Sequence, residues 1–137
     1  MLGRIINDTK IIEKAMDACW IRNEVISQNI ANVDTPGYKR KTVTFESQLS
    51  EAIEKKRKAE ANKYISKAPS LKSAVDDVEI RITQDNSNLS YRLDGNNVDI
   101  DNEMALMAKN TITYNVLTQS LNSSLGRIKT VINEGRR

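Results

Sequence analysis

Stepping by four and three along residues 5–33 gives Ile5, Thr9, Ile12, Met16, Cys19, Asn23, Ile26, Ile30 and Val33, and seven of these nine positions are apolar. The same steps over residues 100–132 give Ile100, Met104, Met107, Thr111, Tyr114, Thr118, Leu121, Leu125, Ile128 and Ile132, of which eight of ten are apolar. A spacing that averages 3.5 residues over several heptads marks a seam between helices, not merely a helix lying on a sheet. The pattern predicts one helix over about 8–33 and another over about 99–133, neither interrupted by proline, with Gly126 the one glycine inside them. At 1.5 Å per residue the second would be roughly 50 Å long, more than a small domain needs. Asp8 is a candidate cap for the first helix. Asp99 or Asp101 can cap the second, where Glu103 falls in the first turn and is favoured by the helix dipole.

The first helix must end near Val33. Pro36 disfavours helical geometry at Thr35 and Gly37 supplies a positive φ, so Thr35-Pro36-Gly37-Tyr38 reads as a type II turn. Between the helices the pattern changes. Residues 42–46 alternate as a short strand, and residues 46–61 read as a charged helix with Leu49, Ala52, Ile53 and Ala59 as a weak apolar face. Residues 62–77, rich in Lys and Ser with Pro69, read as a flexible loop. Val78, Ile80 and Ile82, then Leu89, Tyr91 and Leu93, alternate as two strands of a small hairpin or sheet, and Asp94-Gly95-Asn96-Asn97 forms a turn into the last helix. The expected fold is mainly α with a small β portion (α+β). Long N- and C-terminal helices pair as an antiparallel coiled coil, with a middle segment of short strands and one helix. Three parts follow: residues 1–38 with the turn, 39–98, and 99–137.

Composition sharpens this picture in two ways. Aromatic residues are 4% of the 137 and charged residues 28%, so any core is aliphatic and thin, as suits helices sharing a seam or a subunit completed by its neighbours. There is no histidine and one cysteine, Cys19. That removes an imidazole base, a histidine-bearing metal site and an internal disulfide. Cys19 lies in the apolar row with nothing to activate it, so it reads as a small buried hydrophobe. No catalytic residue, cofactor or metal is expected, and the chain is not expected to be an enzyme. No apolar run approaches the roughly 20 residues that span a bilayer. The first residues show no apolar core of a secretory signal, so export, if any, is expected without signal cleavage. Residues 39–72 carry ten Lys and Arg against four Glu. Such a stretch can grip nucleic acid. However, Lys55-Lys56-Arg57-Lys58 sits beside Glu51, Glu54 and Glu60 on a predicted helix, which favours a solvated face.

The most specific string is Asn29-Ile30-Ala31-Asn32-Val33-Asp34-Thr35-Pro36-Gly37-Tyr38-Lys39. It resembles the N-terminal signature of the flagellar rod, hook and hook-associated proteins, in which a helix ends in Asn-x-Ala-Asn and Thr-Pro-Gly-Tyr follows. The stretch Leu93-Asp94-Gly95-Asn96-Asn97-Val98-Asp99-Ile100-Asp101, with Glu103-Met104, Asn110 and Tyr114 beyond it, is similar to the start of the C-terminal helix in the short proximal rod members of that family. The resemblance covers roughly residues 5–48 and 89–133. It leaves 49–88 unmatched, and Cys19-Trp20 departs from its pattern. In physical terms Asn29 and Asn32 are placed to close the helix end, where carbonyls lack partners and Asn tolerates left-handed geometry. Ala31 would let another backbone approach, and the Pro-Gly turn sets the chain's exit direction.

The resemblance implies a structural subunit of the bacterial flagellar rod, which polymerises through its terminal helices. The assembly motif would be Asn29, Ile30, Ala31, Asn32, Thr35, Pro36, Gly37 and Tyr38. The seams would be Ile12, Met16, Cys19, Ile26, Ile30 and Val33 on one helix. On the other they would be Met104, Met107, Tyr114, Leu121, Leu125, Ile128 and Ile132. Implied partners are the chain itself, other rod subunits, the adaptor that joins rod to membrane ring, and the flagellar type III export apparatus. No nucleic acid and no small-molecule substrate is implied, and the implied location is the basal-body rod crossing the periplasm. Two other classes share parts of the sequence: a cytoplasmic helical adaptor or export chaperone, and a nucleic-acid binder using the basic middle segment.

Overall fold

The computed structural model describes residues 2–61, 78–85 and 95–135. Helix α1 spans Leu2–Ala31, strand β1 Lys41–Thr44, helix α2 Glu46–Ala61, strand β2 Arg81–Gln84, and helix α3 Ile100–Glu134. The long terminal helices run antiparallel: Asn29 near the end of α1 meets Glu103 at the start of α3, and Cys19 further back meets Asn110 further on. The fold is therefore the expected α+β arrangement, with paired helices and a small middle segment. Among the described residues no helix is long and apolar enough to cross a membrane.

Helix α2 falls where its weak apolar face predicts. Leu49 and Ala52 pack, with Ala15 and Ile80, on a small core of Ala18, Phe45 and Val78, while Ile53 stays exposed. On its outer side Lys55 pairs with Glu51 and Lys58 with Glu54 at i,i+4 spacing, the solvated arrangement the charge pattern suggests. Asp99 is the N-cap of α3, accepting from the backbone N–H of Asp101 and Asn102. The turn at 35–38 is closed by Tyr38 N–H donating to the Thr35 carbonyl at 3.3 Å, with Gly37 at φ +72°.

Three expectations are corrected. Asp8 is not a cap, because α1 begins at Leu2 and Asp8 lies inside it. A capping residue permits a helix start without enforcing one, and the row through Ile5 carries the helix further back. Second, β2 covers 81–84, further along than the alternation of Val78, Ile80 and Ile82 predicts, and it pairs antiparallel with β1, Thr42 opposite Thr83 and Val43 opposite Ile82. The expected partner strand around 89–93 lies outside the described residues, as does the 62–77 loop. Alternation reveals a strand but not its neighbour. Third, no described residue other than glycine has positive φ, so the asparagines at the end of α1 do not use left-handed geometry.

Candidate functional site

The two strings that stand 60 residues apart in sequence meet at one corner. Asn29, fully buried, is its centre. Its amide N–H₂ donates to the Lys41 carbonyl at 2.8 Å and to Glu103 Oε2 at 3.0 Å. Its Oδ1 accepts from the Lys41 N–H at 3.0 Å and the Tyr38 hydroxyl at 3.2 Å. One side chain thereby ties the end of α1 to the turn, to β1 and to α3. Asparagine is the short side chain with two donors and an acceptor, and here all are used.

The chain leaving α1 is held from both near and far. Asn32 Nδ2 donates to the Gln28 carbonyl at 2.7 Å, and its Oδ1 accepts from the Thr35 hydroxyl at 3.3 Å. The larger share falls to Asn96, also fully buried, whose amide lies 2.9–3.0 Å from the carbonyls of Asn32, Val33 and Thr35. Asn96 Oδ1 accepts from Val98 N–H at 2.8 Å, and so turns the chain into α3. Beside it Asn97 Oδ1 accepts from Arg40 N–H at 2.7 Å, and Asn97 Nδ2 donates to the Asp85 carbonyl at 3.2 Å. Lys39 Nζ reaches the Gly95 carbonyl at 3.0 Å. Gly95 (φ +80°) and Gly37 are the two positive-φ residues among the described ones, and a Cβ on Gly95 would come within 3.9 Å of the Gly37 Cα. The two turns therefore stack against each other.

Charge is buried at this corner. Glu103 is fully buried and Arg40 Nε donates to its Oε1 at 2.6 Å, with Asn29 on the other oxygen. A buried carboxylate persists only with such partners. Burial and the nearby Glu103 charge push the Tyr38 phenol up from its ordinary value, so it remains a donor at neutral pH. A second link, Arg22 to both carboxylate oxygens of Glu46 at 2.7 and 2.8 Å, ties α1 to the start of α2. Burial pushes the Glu46 carboxyl up. The backbone N–H groups of Glu46 and Phe45 and the Arg22 guanidinium outweigh that and hold it below the ordinary range. Burial raises the Cys19 thiol, with the Arg22 charge working against it, so Cys19 is a protonated, buried group. Among the described residues no three potential metal ligands cluster.

Of the motif residues, Asn29, Asn32, Thr35, Gly37 and Tyr38 work in this corner. Pro36 is exposed and presets the turn, Ile30 is half-buried, and Ala31 is exposed. On α1 the seam residues Cys19 and Ile26 are buried and Ile12 and Met16 half-buried, as is Val33 just beyond the helix. On α3 Met107, Leu121 and Ile128 are half-buried, but Met104, Tyr114, Leu125 and Ile132 are exposed. The buried positions are Glu103, Asn110 and Ser124, one step to the side of Met104, Thr111 and Leu125. Counting apolar residues missed this face because its innermost members are polar. Arg40 and the Arg22–Glu46 link were missed altogether, since nothing local marks a charged residue as an interior partner. The repeat of polar residues at 103, 110 and 124, multiples of seven apart, is the one signal that could have found the true phase.

The profile of the flagella basal body rod protein family matches residues 13–39, the second half of α1 and the turn. The chain is 33% identical over 131 residues to the flagellar basal body rod protein FlgB of Bacillus subtilis, covering 91% of this chain and 92% of the relative. It is 31% identical over 139 residues to FlgB of Escherichia coli K12 (97% and 96% covered). It is 36% identical over 109 residues to FlgB of Borreliella burgdorferi (75% and 78%).

Proposed function

Because this chain belongs to the FlgB family of flagellar basal body rod proteins, we propose that its corner is a clamp that presents two terminal helices as one polymerising arm. The protein is a structural subunit of the proximal rod. It works by shape and not by catalysis. The motif residues Asn29 to Tyr38, with Asn96, Asn97, Arg40 and Glu103, fix the angle between α1 and α3, and the exposed apolar residues of α3 meet neighbouring subunits. Partners are further copies and other rod subunits. The adaptor to the membrane ring and the type III export apparatus complete the set, and the rod lies across the periplasm after export without signal cleavage.

The observation that carries this reading is the stripe Met104, Tyr114, Leu125 and Ile132, apolar at seam spacing yet exposed in the single chain. Neighbouring subunits give such a stripe its cover. Its residues are also the cleanest to test, because the isolated fold does not use them. In cells lacking the gene, complementation with Leu125→Lys should abolish rods and swimming while export and the circular dichroism of the purified chain stay unchanged. A buried unpaired charge costs several kcal/mol in the polymer and almost nothing on a bare helix. Normal swimming with Leu125→Lys would remove the basis for assembly through this stripe.

A further inference from the structure

Helix α3 is exposed on two sides, and neither carries the charge usual on a solvated face. From Met104 to Gly126, about six turns, its one charged side chain is Lys109, in a chain that is 28% charged. Surface helices ordinarily carry charge on their outer side, and charge is depleted where one protein meets another. Besides the stripe through Tyr114 and Leu125, α3 bears a ridge of Ala105, Ala108, Ile112 and Val116, at steps of three, four and four, all exposed. Ile112 is 65% and Val116 59% exposed. The buried positions 103 and 110 mark the side of α3 that meets α1. At 3.6 residues per turn the ridge lies almost opposite them, on the side turned away from α1.

The same chain carries a groove of matching kind. Between α1 and α3 lies an open notch of about 320 Å³, with Trp20 and Asn23 on one wall and Thr111 and Tyr114 on the other. None of these four is charged. Trp20 is 67% exposed and Tyr114 40%, although large aromatic residues are ordinarily covered and commonly anchor protein contacts. A row of side chains on one helix seats in such a groove between helices. Ile112 follows Thr111 in sequence, so ridge and notch stand at one level of the subunit. Neighbours side by side can therefore engage without a shift along the helices. The ridge is roughly 140° round α3 from the Tyr114–Leu125 stripe that borders the notch. Contact between the two surfaces is thus heterologous: it cannot close into a twofold dimer, and a row of copies curves as it repeats. Both halves of the contact lie on one chain, at one level and alike uncharged, so a further copy is the occupant that covers both at once.

We infer that the Ala105–Val116 ridge of one subunit seats in the Trp20–Tyr114 notch of a second copy of this chain, so that successive subunits stand side by side around the rod. This deepens the rod-subunit reading and rests on it. Ile112 of the incoming ridge enters the notch between the two rings.

Complementation of cells lacking the gene tests this. Ile112→Arg with Val116→Arg should cut the number of rod-bearing basal bodies about tenfold, because the charges become buried only in the assembly. The circular dichroism of the purified chain should not change. Trp20→Ala and Ile112→Trp should each weaken assembly, one by emptying the notch and the other by overfilling it, and combining them should restore part of it. In isolated basal bodies, Asn23→Cys with Ile112→Cys should give covalent dimers and longer chains of this protein on oxidation. Asn23→Cys alone, or with Lys58→Cys, should not. Ridge charges without effect, no rescue by the combination, no Asn23–Ile112 cross-link, or a cross-link to a different protein, while Leu125→Lys still abolishes rods, would overturn this contact and leave the rod reading standing. If Leu125→Lys is also harmless, the rod reading itself falls.

Discussion

Asn29 shows how much of this protein rests on single polar side chains. Its amide holds three segments, and one of its partners, Glu103, is a fully buried carboxylate. The cost of disturbing that carboxylate is directional. Arg40→Ala leaves Glu103 buried with its charge unanswered and should destabilise the folded chain by about 3–5 kcal/mol. Adding Glu103→Gln removes the charge and should recover part of the loss, a non-additivity readable as a double-mutant cycle in urea. Equal, additive losses would mean that the pair is not coupled. Gly37 makes a purer case. A Cβ there meets nothing within 4 Å, so any penalty comes from the backbone at φ +72° alone. Gly37→Val should cost roughly 1–2 kcal/mol and Gly37→Asn clearly less, since asparagine tolerates that region. Matching urea midpoints for the two variants would show that the turn can relax.

Among the elements, α2 is the most loosely held. Its apolar face is small, and its start is fixed by Arg22 on Glu46. Glu46 in the folded chain titrates below its ordinary value of 4.5. The tether therefore contributes its full stability above that value and loses it as the pH falls through the folded value. The carboxylate is 70% exposed, so the contribution is under about 1 kcal/mol and falls with salt. Hydrogen exchange in residues 46–61 should quicken as the pH is lowered past 4.5, relative to the intrinsic rate. The Arg22→Gln variant should show the quick exchange already at neutral pH. A wild-type helix indifferent to both acid and salt would assign its anchorage to Leu49 and Ala52 instead. The α1–α3 pair divides its labour differently. Glu103 and Asn110 bond across to Asn29 and the Cys19 carbonyl of α1, whereas buried Ser124 accepts from Arg127 of its own helix, so hydrogen bonds set the register near the corner while the apolar stripe lies exposed to one side.

At the scale of the molecule, order is expected to run along the helical pair as a gradient. The corner is bound by many buried and part-buried hydrogen bonds. Toward the far ends Leu125, Val131 and Ile132 are exposed, and helices gain most of their stability from packing. In dilute monomer, amide exchange should be slowest around 25–31 and 103–110 and much faster around 128–134. In assembled rods the difference should largely vanish, because neighbours cover the far ends. Uniformly slow exchange in the monomer would contradict a surface completed by assembly.

The sequence alone determined the elements and the family. Helical spacing is a local property, so α1 and α3 were readable from their stripes, and α2 from its charged pattern with Leu49 and Ala52. The type II turn follows from Pro36 and Gly37, whose backbone limits need no tertiary context. The specific string at 29–39 led to the same family as the comparisons. Tertiary structure decided what faces what. That β2 would pair with β1, that Asn96 would hold carbonyls just beyond α1, and that Arg40 would answer Glu103 all depend on residues brought together across more than 35 positions of chain. The phase of the α3 seam belongs to the same class. Hydrophobic periodicity identifies the stripe that avoids water, but a subunit built to polymerise has two such surfaces. Only the folded chain shows that its inner one is held by Glu103 and Asn110, bonded to Asn29 and to the Cys19 carbonyl of α1, because a buried polar group is stable where its hydrogen-bond partners already stand.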